Sequence, residues 1–411
     1  MRKNVFILLF FIGIGGGLRA DLISEKVYKE DSSLDSTRHN QLRFSLPTLS
    51  FFQNNEFDRN YIKGYTLPGF WLAPRFSYYA ATSVKLEAGA YLLGYWGANR
   101  YPVAAYKDIP EWKAAKYGSG FHALPFFRAH WAPFSNFDVV IGNLYGKANH
   151  NLAEPLYFSE LNMSADPESG AQLLFRSHVF EGDLWMNWES FIFKGSPSQE
   201  MFTAGISSKF NLLKEGSLFE LSVPVQLLAN HRGGEINDKE ATVDGTVKTL
   251  MNAGSGLRFT YKPKGLLLRQ IRVETLGLLF YQQAGEVYPF DAGWGVFPSL
   301  SVDFWDVRAR VSYWKGEDFV SINGIPFYNS VGHNGEILDA ARNVAASLQY
   351  CKEITPLISI GVDVSLYCMP SASGVDVNNA PVTFDPSLSY SYGVSLRVNP
   401  DFLLHTFKKR D

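Results

Sequence analysis

The chain has 411 residues, with 38 basic and 40 acidic side chains and a formal net charge of −2. That near-balance excludes the strong basic footprint of a nucleic-acid binder, and two cysteines are too few for a disulfide framework. Hydrophobic residues make up 46% of the chain at a mean hydropathy of −0.09, so apolar and polar residues are interleaved rather than gathered into apolar blocks.

Residues 1–20 read as a secretory signal. Arg2 and Lys3 give a positive start, Val5 to Gly17 an apolar stretch, and Leu18-Arg19-Ala20 a cleavage site. That stretch is short for a membrane anchor, and no later run approaches the ~18 consecutive apolar residues of a membrane helix. Residues 21–40 are polar and charged and are expected to form an N-terminal periplasmic segment, loose or lying at a rim.

From 41 to 399 the chain alternates. Ile358-Ser359-Ile360-Gly361-Val362-Asp363-Val364-Ser365-Leu366 is apolar at every second position, and Val307-Arg308-Ala309-Arg310-Val311-Ser312-Tyr313 repeats the pattern with arginines on the polar side. Side chains of a strand point to opposite faces in turn, so this pattern gives a sheet one apolar and one polar face. The predicted strands are 41–52, 66–79, 83–96, 118–131, 135–145, 169–178, 181–194, 198–211, 216–229, 246–262, 265–282, 291–304, 306–315, 338–353, 356–369 and 386–398. Joints after the even-numbered strands are brief (Ala80 to Thr82, Ala132 to Phe134, Lys214-Glu215). Those between include 97–117, 146–168, 230–245, 316–337 and 370–385. A β-sandwich gives no reason for such alternation. A barrel whose two ends share a rim does. The fold class is therefore all-β: a transmembrane antiparallel up-and-down β-barrel of about sixteen strands over 41–399, with 400–411 as a C-terminal tail. With the export signal, this places the protein in the bacterial outer membrane with lipid around it.

Hairpin geometry sets charges opposite one another on the polar face: Arg75 with Glu87, Ser77 with Lys85, Arg176 with Asp183, Lys209 with Glu220 and Asp303 with Arg308. The other parity carries Phe76, Leu86, Phe210, Leu221, Val302 and Val307. Tyr78, Tyr95, Trp96, Trp131, Trp188, Tyr261, Tyr281, Trp314, Tyr350 and Tyr390 lie near strand ends, where lipid-facing aromatics form girdles. Prolines 74, 125, 224 and 298 fall inside predicted strands and are expected at bulges or strand ends. Cys351 and Cys368 fall at opposite ends of one hairpin and are not expected to bond.

No G-x-S-x-G elbow, H-E-x-x-H, C-x-x-C or P-loop is present. The sequence alone thus gives no catalytic residue, metal site or cofactor, and leads to the expectation that the protein is not an enzyme. His150 between Asn149 and Asn151, and His333 beside Asn334, fall in predicted outer loops. Outer-membrane lipases use a Ser-His-Asn arrangement, so a lipid hydrolase with one of these as base is the alternative reading. The lumen parity instead collects Arg75, Glu87, Arg128, Arg176, Asp183, Arg258, Arg272, Asp303, Arg308, Arg310 and Arg397, and the loop 146–168 contributes Glu154, Glu160, Asp166 and Glu168.

In strand number and in an acidic third outer loop set against wall arginines, the chain resembles the general bacterial porins. The resemblance is one of architecture, not of residue motif. It implies a homotrimer and a passive pore for small hydrophilic solutes, with the named lumen residues and Glu154 at its constriction. The basic excess on lumen parity favours anions. Tyr101, Tyr106, Trp112, Tyr157, Phe327 and Tyr328 in the outer loops suit stacking on saccharides. A plugged structural or adhesive barrel working through its loops is a further alternative.

Overall fold

The period-two pattern does assemble into one continuous ladder. A computed structural model describes residues 22–58, 62, 64–96, 119–190, 199–214, 216–233, 247–265 and 267–408. The strands are Gln41–Ser45, Thr48–Glu56, Tyr65–Leu72, Arg75–Ala81, Val84–Trp96, Ser119–Phe134, Phe137–Asn143, Ser169–Arg176, Phe180–Ser190 and Glu200–Asn211. They continue with Phe219–Gly233, Lys248–Tyr261, Leu268–Ala284, Ala292–Phe304, Val307–Glu317, Ala341–Thr355, Ile358–Met369, Ser387–Val398 and Asp401–Thr406. These nineteen segments form one sheet. Three staves are each interrupted once, beside Pro47, Pro74 and Pro400, so the closed antiparallel barrel has 16. It closes where Thr48–Glu56 pairs with Ser387–Val398 and Gln41–Ser45 with Asp401–Thr406. The strand Asp401–Thr406 thus carries the last stave beyond residue 399, where the sequence suggested a tail.

The joints alternate as expected, and Gln41 and Thr406 pair at the short-turn rim. Phe76, Phe127, Ile141, Leu279, Leu300 and Leu348 stand exposed on the outside, while Arg75, Glu87, Arg128, Gln172 and Asn252 are buried inside. An apolar exterior around a polar interior is what an outer-membrane barrel presents to lipid. Trp96, Trp131, Tyr281, Tyr350 and Tyr390 face outward. Two expected girdle members do not. Trp314 is 0% exposed, its ring lying over Gly295, and Tyr95 turns in toward His122, 5.8 Å between ring centres.

Asp303 faces Arg308 as expected. The other charge pairs are displaced: Glu87 faces Ser77, Lys85 faces Tyr79, Arg176 faces Glu181 and Lys209 faces Pro224. The turns are wider or narrower than the sequence suggests. Each displacement is an even number of residues, so every charge keeps its face. The prolines sit where no ladder bond is asked of them. Pro74 lies in a break; pairing skips past Pro224 toward Lys248–Tyr261 and past Pro298 toward Val307–Glu317. Cys351 stands opposite Gly361 and Cys368 opposite Val344, so the two do not meet.

The lumen is packed rather than open. Of the segment expected to be loose or lying at a rim, residues 31–40 lie at the short-turn rim, where Arg38 pairs with Asp401, whereas 22–30 run into the barrel: Leu22, Ile23 and Val27 bury against Leu49, Phe51, Leu67, Leu93 and Cys351. The segment 144–168 folds inward from the long-loop rim. Leu156, Phe158 and Leu161 join Phe280, Phe297, Trp314, Phe319, Phe327 and Tyr328 in an apolar cluster within the barrel. The segment 318–340 completes that cluster, and the Phe158 N–H donates to the Asn323 carbonyl at 2.8 Å. Burying large aromatics inside the lumen offsets the loss of its water. The signal-peptide reading, Tyr101, Tyr106 and Trp112 lie outside the described residues.

Candidate functional site

The lumen charges fall into separate groups. In the first, Glu30 of the N-terminal segment accepts from Arg75 at 2.5 Å and from Arg128 at 2.9 Å. Arg128 also reaches Glu87 at 3.2 Å and the Asn143 and Leu144 carbonyls, and its guanidinium lies 3.9 Å from the centre of the Tyr145 ring. Burial disfavours the Glu30 anion, but Arg128 and Arg75 outweigh that and hold its carboxyl well below the usual carboxylate range. Arg397 donates to the Val27 and Lys29 carbonyls of the same segment. Arg176 stands apart near the short-turn rim, on Asp138 and Ser32.

The second group surrounds a cavity of about 110 Å³ lined by Arg258, Arg272, Arg308, Arg310, Glu154, Glu274, Tyr157 and Tyr367. Arg258 pairs with Glu274 at 2.6 Å, Arg310 with Glu154 at 2.9 Å, and Arg308 with Asp303 at 2.5 Å and with Glu25 at 3.4 Å. Tyr328 also donates to Glu154, at 2.6 Å. Four arginines and two glutamates therefore line a small polar void.

The third group is His150, one of the two proposed bases. It is 1% exposed. Its Nδ1 meets Asp183 at 2.8 Å and its Nε2 meets Glu168 at 2.6 Å, and its ring stacks on Trp185 with 3.6 Å between centroids. Burial lowers the pKa, yet the two carboxylates outweigh it and raise it to about 10. Held on both ring nitrogens, His150 ties the inner loop to the wall. His333 sits on an outer-loop surface.

Sequence reasoning missed a fourth group. His122 lies near the long-loop end of Ser119–Phe134, half-buried, with Nδ1 2.7 Å from Asp166 Oδ1. Tyr91 and Lys147 border it through the Ala165 carbonyl, to which both donate. Burial, partly offset by Asp166 and Glu168, lowers the Lys147 ammonium to about 8. A carboxylate on one imidazole nitrogen fixes the tautomer and makes the other the basic one. No spacing signal could have joined residues 44 apart in chain. Glu25 and Glu30 were also missed, because the segment carrying them reads as polar and solvated.

Fold and lumen together define a porin-like sixteen-stave outer-membrane barrel with an internally packed lumen. Solved barrels similar to this chain include OprD of Pseudomonas aeruginosa (9% identity, 94% of this chain and 99% of that one, TM-score 0.41). OccAB1 of Acinetobacter baumannii (11%, 92% and 99%, 0.47) and OmpT of Vibrio cholerae in its trimer form (8%, 87% and 98%, 0.47) are also similar. No curated protein matches at a significant level. A family model described as lipid A 3'-O-deacylase-type matches residues 34–407, and the chain belongs to that family. This overturns the expectation, drawn from missing motifs, that the protein is not an enzyme. Short sequence signatures do not register residues brought together by a loop folded into a barrel.

Proposed function

We propose that the chain is an outer-membrane hydrolase that removes an acyl chain from a glycolipid of the lipid A class, with His122 as general base and Asp166 as its positioning partner. The observation that carries this reading is the His122–Asp166 contact at the outer mouth of the lumen; membership of the deacylase-type family supports it. His122 Nε2 takes a proton from a water molecule as the water oxygen attacks the ester carbonyl. Collapse of the tetrahedral intermediate breaks the bond to the sugar oxygen, which takes the proton back from the imidazolium. The products are a fatty acid and a free sugar hydroxyl. Mass spectrometry of lipid A incubated with the folded full chain should reveal loss of one acyl chain. His122→Ala should slow that loss by about 10²- to 10⁴-fold, the usual contribution of general acid–base catalysis. Lipid A left intact by the unaltered protein would overturn the reading.

A second reading, a channel closed at rest, is favoured by the charged cavity beneath the inner loop. Its solutes would be small and polar, and the charged lining of the void suits ionic ones.

A further inference from the structure

We infer that Lys315 and Arg342 form an external binding site for the phosphate of an outer-leaflet lipid headgroup. Among the described strands, lysine and arginine reach the lipid-facing parity at only two levels. Arg269 and Lys352 lie near the short-turn rim, and Lys315 and Arg342 near the long-loop rim. Lys315 and Arg342 stand directly opposite one another on the ladder between Val307–Glu317 and Ala341–Thr355. Like charges in that position repel, and the neighbouring carboxylate of Glu317 pairs with Lys315 and not with Arg342.

The surroundings are those of a membrane interface. Lys315 Nζ lies 5.2 Å over the Trp294 ring and 2.9 Å from Glu317. Trp294, Tyr313 and Val344 are exposed around the pair. The Arg342 guanidinium has neither hydrogen bond nor ion pair among the described residues. Basic side chains are tolerated near the bilayer edge and costly at its centre, and this pair sits within three residues of the strand ends. The planar fork of arginine beside a lysine ammonium matches the oxygens of a phosphate monoester. The lipid-facing position selects a phosphate carried on a lipid rather than one free in solution.

This inference rests on the orientation of the barrel and not on the hydrolase reading, so the two can fail separately. Native mass spectrometry of the folded full chain in a neutral maltoside detergent, titrated with bis-phosphorylated lipid A, reads binding without activity. The Lys315→Gln/Arg342→Gln double variant should bind about twenty-fivefold more weakly, from roughly a fivefold contribution per basic residue. Arg269→Gln/Lys352→Gln, at the other rim, should bind as the unaltered chain does. Inorganic phosphate at millimolar concentration should not displace the lipid. Equal binding by the Lys315/Arg342 double variant, or equal binding of fully dephosphorylated lipid A, would overturn the assignment.

Discussion

Glu30 and Arg128 are 98 residues apart in the chain, yet they share two hydrogen bonds, 2.9 and 3.2 Å long, in the middle of the barrel. One lies on the segment before the first stave and the other on the wall, so this contact decides whether the lumen is filled from the short-turn rim. Arg128 is 1% exposed and also serves Glu87. Removing it leaves Glu30 with Arg75, and Glu87 with Arg75 and Lys85. Arg128→Ala should therefore destabilise the barrel by about 3 kcal/mol, the low end of the cost of breaking a buried ion pair, as measured by urea unfolding in detergent. Glu30→Gln should act more locally and expose residues 22–35 to protease while the barrel persists.

The same contact fixes an acid dependence. The folded Glu30 carboxyl lies well below its ordinary range, so its stabilising contribution is present above the unfolded pKa and is lost only as pH falls through the folded value. Protease protection of residues 22–35 should persist down through pH 4. Release between pH 6 and 5 would contradict the ion pairing.

His150 behaves in the opposite sense. Its folded pKa is raised to about 10 from the ordinary imidazole value of 6.5. Its contribution is therefore complete below pH 6.5 and declines as pH rises toward 10. The unfolding midpoint of the unaltered chain should fall across that interval, and His150→Gln should flatten the profile. An unchanged slope in the variant would show that the imidazolium does not hold the inner loop.

Gly205 stands opposite Trp185 on the ladder, and a Cβ there would lie 2.1 Å from the Trp185 ring. That ring is the one His150 stacks on. Gly205→Ala should push the indole aside and lower stability by about 1–3 kcal/mol, as overpacking does. Near-ultraviolet circular dichroism should register the lost indole environment alongside the lower midpoint.

Stave number and facing were legible because each follows from local rules. Alternation assigns every residue to a face, and that assignment survives even-numbered slips such as Ser77 taking the place of Arg75 opposite Glu87. The contents of the lumen were not legible. Leu22, Ile23 and Val27 are apolar residues scattered through a polar segment, and only the barrel wall gives them somewhere to bury. Leu156 and Phe158 likewise look like ordinary loop residues until they meet Phe280 and Phe297. His122 and Asp166 are joined by that same infolding. Long-range closure produces sites that have no signature along the chain.

The packed lumen makes a prediction about current. Sixteen staves enclose more space than wall side chains alone can fill, but here 22–30, 144–168 and 318–340 occupy it. The unaltered chain in a planar bilayer should give no stepwise conductance on the nanosiemens scale. Two contacts hold the infolded segments from opposite rims: Glu30 to Arg75 and Arg128, and Glu154 to Arg310 and Tyr328. Glu30→Ala combined with Glu154→Ala removes both, leaving the wall arginines without those partners and drawing water and anions inward. Brief openings with anion selectivity should then appear in the double variant alone. Steady open-pore steps from the unaltered protein would mean that the inner segments do not stay where the packing puts them.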